Sequence, residues 1–296
     1  MKLSHNVHLN QLPKEITMTN GATCPIGGLE KILLATDHSA HSEGAIREAI
    51  KFASKCSSRI YVCMTIETNP EYETIGANVF EKEEEEATAY LDAIKARATE
   101  AGVACETVLH ESEDAAEAIV QEAIKRKADV IVVGRHGYKG LVKALMGEVA
   151  AKVIAHAPCK VLVVPKAAEI EYKNILVATD GSPHAIAALN EAIAIAKRTG
   201  SRIIALSAMR DETEREEARN FSNKAAEMAK KEGVSAEAVT PTGRSYNAIV
   251  ETAGGRGVDL IVMGTYGKTG VKKLLMGSST EKVIGMAGCA VLVVKA

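Results

Sequence analysis

Three glycines and the hydroxyl residues behind them carry the first chemical signal in the chain. Gly264, Gly267 and Gly277 are spaced G-x2-G-x9-G, and Ser278, Ser279 and Thr280 follow directly. Glycine permits backbone paths that a Cβ would block. A helix opening just after a glycine presents free N–H groups and the positive end of its dipole, and hydroxyls add donors. Together these would bind an anion. Simple helix capping by Ser278 or Ser279 is the competing reading. The loop is not a phosphate-binding Walker loop, because only two residues separate its first glycines where four are needed. No GxGxxG follows the first strand of the repeat, so a dinucleotide fingerprint is excluded as well. A second feature points to the same place. The run Ala178-Thr179-Asp180-Gly181-Ser182 ends an apolar strand in a carboxylate suited to ribose hydroxyls or an adenine amino group.

The elements that must hold these residues alternate strand and helix. Strands are expected at Asn174–Ala178, Arg202–Met209, Ala236–Val239, Asp259–Met263 and Ala290–Val294. Helical patterns fill Pro183–Thr199, Arg215–Glu232, Ser245–Gly254 and Ser279–Met286. Such alternation implies parallel strands with right-handed crossovers. Runs such as LIVM and VLVV, apolar without alternation, suit strands covered on both faces. In a doubly wound sheet strands one and four are neighbours where the strand order reverses, so Asp180 and the glycine loop should share one crevice.

The pattern occurs twice. KILLATD from Lys31 answers KNILVATD from Lys173. The segment from Ala128 to Val164 answers that from Val258 to Val294, with about half of the paired positions identical. The period is that of a whole domain, not of a solenoid unit. We therefore expect an extension over residues 1–28, one domain over 29–167 and a second over 171–296. Asp37 to Gly134 spans 97 positions against 84 from Asp180 to Gly264. The 13 extra residues fall near Thr68–Phe80 and read as a longer loop, either a surface insertion or a lid.

Composition agrees with two ordinary globular domains in 296 residues. A net charge of -2 offers no field to gather nucleic acid or anionic lipid. Aromatics make up 3% of the chain, with no Trp, so the cores must be aliphatic. No run approaches the roughly 20 apolar residues of a membrane-spanning helix, and the first residues lack the apolar stretch of a secretory signal. Six scattered cysteines, none in a CxxC pair, read as reduced core residues of a cytoplasmic protein.

The motif G-x2-G-x9-G-[ST], the strand-ending Ala-Thr-Asp and the closing VLVV strand resemble the universal stress protein family across both repeats, from about residue 29 to 296. The resemblance implies tandem five-stranded parallel α/β domains of strand order 3-2-1-4-5. It implies binding of an adenine nucleotide, mainly ATP with Mg²⁺, and pairing through the last strands, here Val161–Val164 with Val291–Val294. It leaves a further homodimer and an unknown regulatory protein partner open. Carried over residue by residue, Ala178, Thr179 and Asp180 line the adenosine side and Ala208 meets adenine. Met263 and Gly264 pass under the ribose, and Gly267, Gly277, Ser278 and Ser279 cradle phosphates. Lys268 and Lys272 lie nearby. The first repeat keeps Thr36, Asp37, Val133, Gly134, Gly137 and Gly147 as a weaker second site. There the hydroxyl position is Glu148, followed by Val149, and a carboxylate repels phosphate by about 1 kcal/mol in water at ~4 Å. Arg135 or Lys139 would have to compensate. The expectation is asymmetric: repeat 2 binds nucleotide, repeat 1 weakly or not at all.

Other features read as structural. His41 and His184, equivalent in the first turn of their helices, are expected at the surface or as caps, with no triad around them. Glu81–Glu86 and Asp211–Glu217 read as solvated first turns of the second helices. No catalytic residue and no protein metal cage is assigned. A nucleotide-binding regulatory module is therefore favoured over a slow ATPase or phosphotransferase, and over a ligand-free interaction protein.

Overall fold

The computed structural model describes residues 24–68, 77–135, 146–267 and 276–296, with the backbone alone at 77–80. Repeat 1 contributes β1 (Lys31–Thr36), α1 (Glu43–Cys56), β2 (Arg59–Glu67), α2 (Ala77–Glu100), β3 (Cys105–Ser112), α3 (Ala115–Arg126), β4 (Val130–Gly134), α4 (Glu148–His156) and β5 (Lys160–Val164). Repeat 2 contributes β6 (Asn174–Ala178), α5 (Pro183–Thr199), β7 (Arg202–Leu206), α6 (Arg215–Lys231), β8 (Ala236–Val239), α7 (Ser245–Gly255), β9 (Leu260–Gly264), α8 (Ser278–Met286) and β10 (Ala290–Val294). A 3-10 turn at Glu212–Glu214 precedes α6.

The strands form one ten-stranded sheet of order β3-β2-β1-β4-β5-β10-β9-β6-β7-β8. Each half is thus 3-2-1-4-5. Pairing is parallel within each repeat and antiparallel at the seam, where Leu292 faces Leu162 and Val291 faces Val163. The aliphatic strand residues are buried on both faces. Leu34, Val132, Val177 and Val262 join the core under α1, α2, α5 and α6. Leu33, Ile131, Leu176 and Ile261 join the opposite core under α3, α4, α7 and α8. Each such side chain contributes about 1.5–3 kcal/mol on burial. Two cations stitch the seam. Arg135 Nη1 donates to Ala287 O at 2.7 Å, and Lys295 Nζ donates to Ala157 O at 2.6 Å. Burial lowers the pKa of both groups.

The connection between the repeats lies clamped along α1. Arg47 Nη2 donates to Ala168 O at 2.5 Å, and Lys51 Nζ donates to Ile170 O at 2.9 Å. The buried Glu48 accepts the Ile170 amide at 3.3 Å. Gly44 is required there, since a Cβ would stand 2.4 Å from Pro165 O.

Three expectations need correction. Strand β7 stops at Leu206, not Met209; beyond it Met209 makes only an isolated bridge to Thr242. The longer segment of repeat 1 is not all loop: Ala77–Phe80 open α2, which runs 24 residues against 17 in α6. Gly76 is the last helix breaker before it, and residues 69–76 lie outside the described part. Finally, two cysteines are not thiols. Cys24 and Cys56 form a disulfide across a separation of 32 residues, fastening the segment before β1 to the end of α1. The other four match the expectation of unpaired residues. Burial pushes the Cys63 and Cys289 thiols up to about 12 and Cys159 up to about 11. Among the described residues no helix is long and apolar enough to cross a membrane.

Candidate functional site

At the carboxyl end of β6 the chain turns sharply into α5. Thr179 N still donates to Leu206 O at 2.8 Å. The Asp180 carboxylate then accepts Ser182 N at 3.0 Å through Oδ1. Gly181 holds φ +76°, and a Cβ on it would stand 2.4 Å from the Phe221 ring. Ser182 caps α5 by accepting the Ala185 amide, with Pro183 in the first turn. The second carboxylate oxygen of Asp180 faces the glycine loop. A Cβ on Gly267 would lie 2.4 Å from Oδ2. Asp180 and Gly267 are therefore brought together, as the switch-point argument requires.

Gly264 closes β9 against α5. A Cβ there would meet the His184 backbone at 2.7 Å. The loop is drawn back onto this corner by Gly277 N, which donates to Thr265 O at 2.8 Å. Thr280 Oγ1 donates to Gly264 O at 3.1 Å. Gly277, with φ -71° and ψ 138°, is the N-cap of α8, and no side chain caps it. The capping reading of Ser278 and Ser279 is thereby corrected. Ser278 is exposed, and Ser279 Oγ pairs with Ser245 Oγ at 3.0 Å. Because Glu281 N is the first amide bonded within the helix, the amides of the preceding turn face the loop side. Met263 is buried, so its side chain packs into the core below and only its backbone borders the crevice. Ala178 and Ala208 are half-buried at the rim of that same core. Lys268, Gly270 and Lys272 lie outside the described residues.

Repeat 1 uses the same corner differently. Asp37 Oδ1 accepts Ser39 N at 3.2 Å, Ser39 Oγ at 2.7 Å and Ser42 Oγ at 2.6 Å. Thr36 Oγ1 pairs with Tyr90 OH at 3.0 Å. His38, at φ +62°, stacks 4.2 Å from the Tyr90 ring. Val133 is buried and Gly134 half-buried at the end of β4. Gly147 is the N-cap of α4, its amide bound to Arg135 O at 2.9 Å. Glu148 does not turn into the loop: its side chain, 81% exposed, pairs with Lys152 at 3.1 Å. Arg135, the cation next to this loop, donates through Nη1 to Ala287 O in the other repeat. Gly137 and Lys139 lie outside the described residues.

The histidines part ways as well. His41 is exposed, but His184 is half-buried. Its Nδ1 lies 3.3 Å from Thr265 Oγ1, and its ring meets Tyr266 edge-on at 5.4 Å. The surface-or-cap reading of His184 is corrected accordingly. Sequence reasoning also missed Tyr90 and Phe221, which approach from the second helix of each repeat. Their equivalence follows from the repeat alignment, but nothing marks them as reaching the first-strand corner.

Comparison with known proteins settles the ancestry. The universal stress protein family matches twice, over residues 28–165 and 171–295. The chain belongs to the universal stress protein family. A universal stress protein of Methanocaldococcus jannaschii is 37% identical over 140 residues, covering 42% of this chain and 82% of the relative. One from Thermus aquaticus is 36% identical over 134 residues, covering 45% and 96%. A crystal structure of a universal stress protein from Archaeoglobus fulgidus spans both repeats. Its TM-score is 0.69 at 23% identity, covering 90% of this chain and 99% of that one, a likeness of fold.

Proposed function

We propose that repeat 2 binds ATP or another adenine nucleotide and that the chain works as a nucleotide-sensing module of the stress response rather than as a fast enzyme. The observation that carries this reading is the meeting of Asp180 with Gly267 beside the uncapped start of α8. Asp180 suits ribose or adenine donors. The amides following Gly277, with the Ser278 and Ser279 hydroxyls, suit phosphates. Among the described residues no three His, Cys, Asp or Glu side chains gather into a metal site. Mg²⁺ would therefore be held chiefly by the phosphates it accompanies. In repeat 1 Asp37 already accepts the Ser39 and Ser42 hydroxyls, and Glu148 and Val149 stand in place of the two serines, which supports a weak or silent copy.

The test is to denature purified protein and identify any released nucleotide, then repeat with Asp180→Ala and Ser278→Glu. One adenine nucleotide per chain is expected, lost in both variants, with turnover below ~1 s⁻¹, the low end of ordinary enzymes. Two equivalent tight sites, or full retention in both variants, would overturn the assignment.

A further inference from the structure

The repeats differ most where their third and last helices begin. Matching Gly134 with Gly264 places Asp114 opposite Arg244, Glu148 opposite Ser278 and Val149 opposite Ser279. In repeat 1 Asp114 Oδ1 accepts the amides of Ala116 and Glu117 at 2.9 and 3.2 Å. Its Oδ2 binds Lys152 Nζ at 3.2 Å, and the same ammonium reaches Glu148 Oε1 at 3.1 Å. The first amides of α3 and the Lys152 ammonium are thus satisfied by the chain's own carboxylates. In repeat 2 the residue before α7 is a cation. Arg244 makes no side-chain cap, the first turn of α7 holds no acid, and its Nη1 lies 3.4 Å from Tyr246 OH. The Ser245–Ser279 hydroxyl pair ties the start of α7 to the start of α8. Arg244 therefore stands at the second of two helix starts that open on one corner.

We propose that the residue preceding the third helix decides which repeat accepts a polyphosphate: Arg244 contacts the distal phosphates of a nucleoside triphosphate in repeat 2, and Asp114 with Glu148 excludes one from repeat 1. This rests on the adenine-nucleotide reading of repeat 2. A guanidinium offers a planar fork that matches phosphate oxygens. Two carboxylates at the equivalent place repel them, and the Lys152 charge between them is already neutralised. The selectivity is for the length and charge of the phosphate tail, not for the base.

Binding of ATP and of adenosine to the full chain is measured at fixed ionic strength. The chains are wild type, Arg244→Asp, Arg244→Lys and the triple variant Asp114→Arg/Glu148→Ser/Val149→Ser. Arg244→Asp should weaken ATP roughly 10-fold and adenosine less than about 2-fold, since only the charged tail meets this residue. Arg244→Lys should fall between, keeping the charge without the fork. The triple variant should raise bound ATP from one to two per chain. Asp is a favoured N-cap, so Arg244→Asp should fold. If it weakens ATP and adenosine alike, or neither, the role of Arg244 is overturned. A triple variant still holding one ATP overturns the role of Asp114 and Glu148. Wild type that binds neither ligand overturns the nucleotide reading itself, and this inference with it.

Discussion

At the end of its first strand each repeat folds its aspartate back onto the next turn: Asp37 accepts Ser39 N together with the Ser39 and Ser42 hydroxyls, whereas Asp180 accepts Ser182 N and Ala185 stands where repeat 1 has Ser42. At the far side of the same corner repeat 1 places a carboxylate pair around Lys152, and repeat 2 places Arg244 and serines. The strands beneath are paired in the same order. The fold sets where a ligand could sit, and a few side chains at strand and helix ends set the chemistry of that place.

The comparison can be broken at several points. The largest effect is expected at the disulfide, because only repeat 1 has one. Its counterpart of Cys56 is Thr199, which bonds to Ile195 O at 2.9 Å and pairs with Ser201 Oγ. A cross-link over 32 residues restrains the unfolded chain by about 3–4 kcal/mol on the loop-closure estimate. Cys24→Ser should lower the unfolding free energy extrapolated from urea titration by that amount, and adding a reductant should then change nothing further. Alkylation of both cysteines in the oxidised native protein would remove the basis for the prediction.

A smaller effect is expected from exchanging corner residues. Gly181→His, which installs the residue of repeat 1, must place a Cβ in the left-handed region and against Phe221. The cost should be about 2 kcal/mol in thermal unfolding. The reverse exchange, His38→Gly, relieves its backbone and loses only the Tyr90 stacking, so it should cost under about 1 kcal/mol. Equal costs would show that the two corners are built alike.

A smaller effect than that of Gly181→His concerns Asp114. The Glu117 amide above all, then Lys152, holds its carboxyl below the usual range. Since the folded value is the lower one, its stabilisation is complete above about pH 4 and fades as pH falls through the lowered value. Asp114→Ala should cost about 1 kcal/mol near neutrality, as a lost cap, and less near pH 2.5. Urea titrations at the two pH values give the comparison, and a deficit independent of pH would contradict it.

Much of this was legible in the residues. Strands β6, β8 and β10 begin and end at the expected residues, and α5 starts at the Ser182-Pro183 signal. The pairing of Asp180 with the glycine loop followed from strand order. The Cys24–Cys56 bridge was not legible, because a separation of 32 residues leaves no local trace of proximity. Nor was the direction of Glu148, since an ion pair four residues along its helix competes with the loop. Tyr90 and Phe221 were hidden for a related reason: they arrive from a different helix, and only packing brings them to the corner.

The antiparallel β5–β10 seam has a consequence for partner choice. Two separate chains pairing through their last strands must find each other, and dilution can part them. Here the clamped connection between the repeats supplies the partner at an effective concentration of roughly millimolar or more, whatever the protein concentration. Each chain therefore always carries one copy of either kind. Exchange through this seam cannot yield a pair of two first repeats or of two second repeats, so the ratio between them is fixed by the gene and not by mass action.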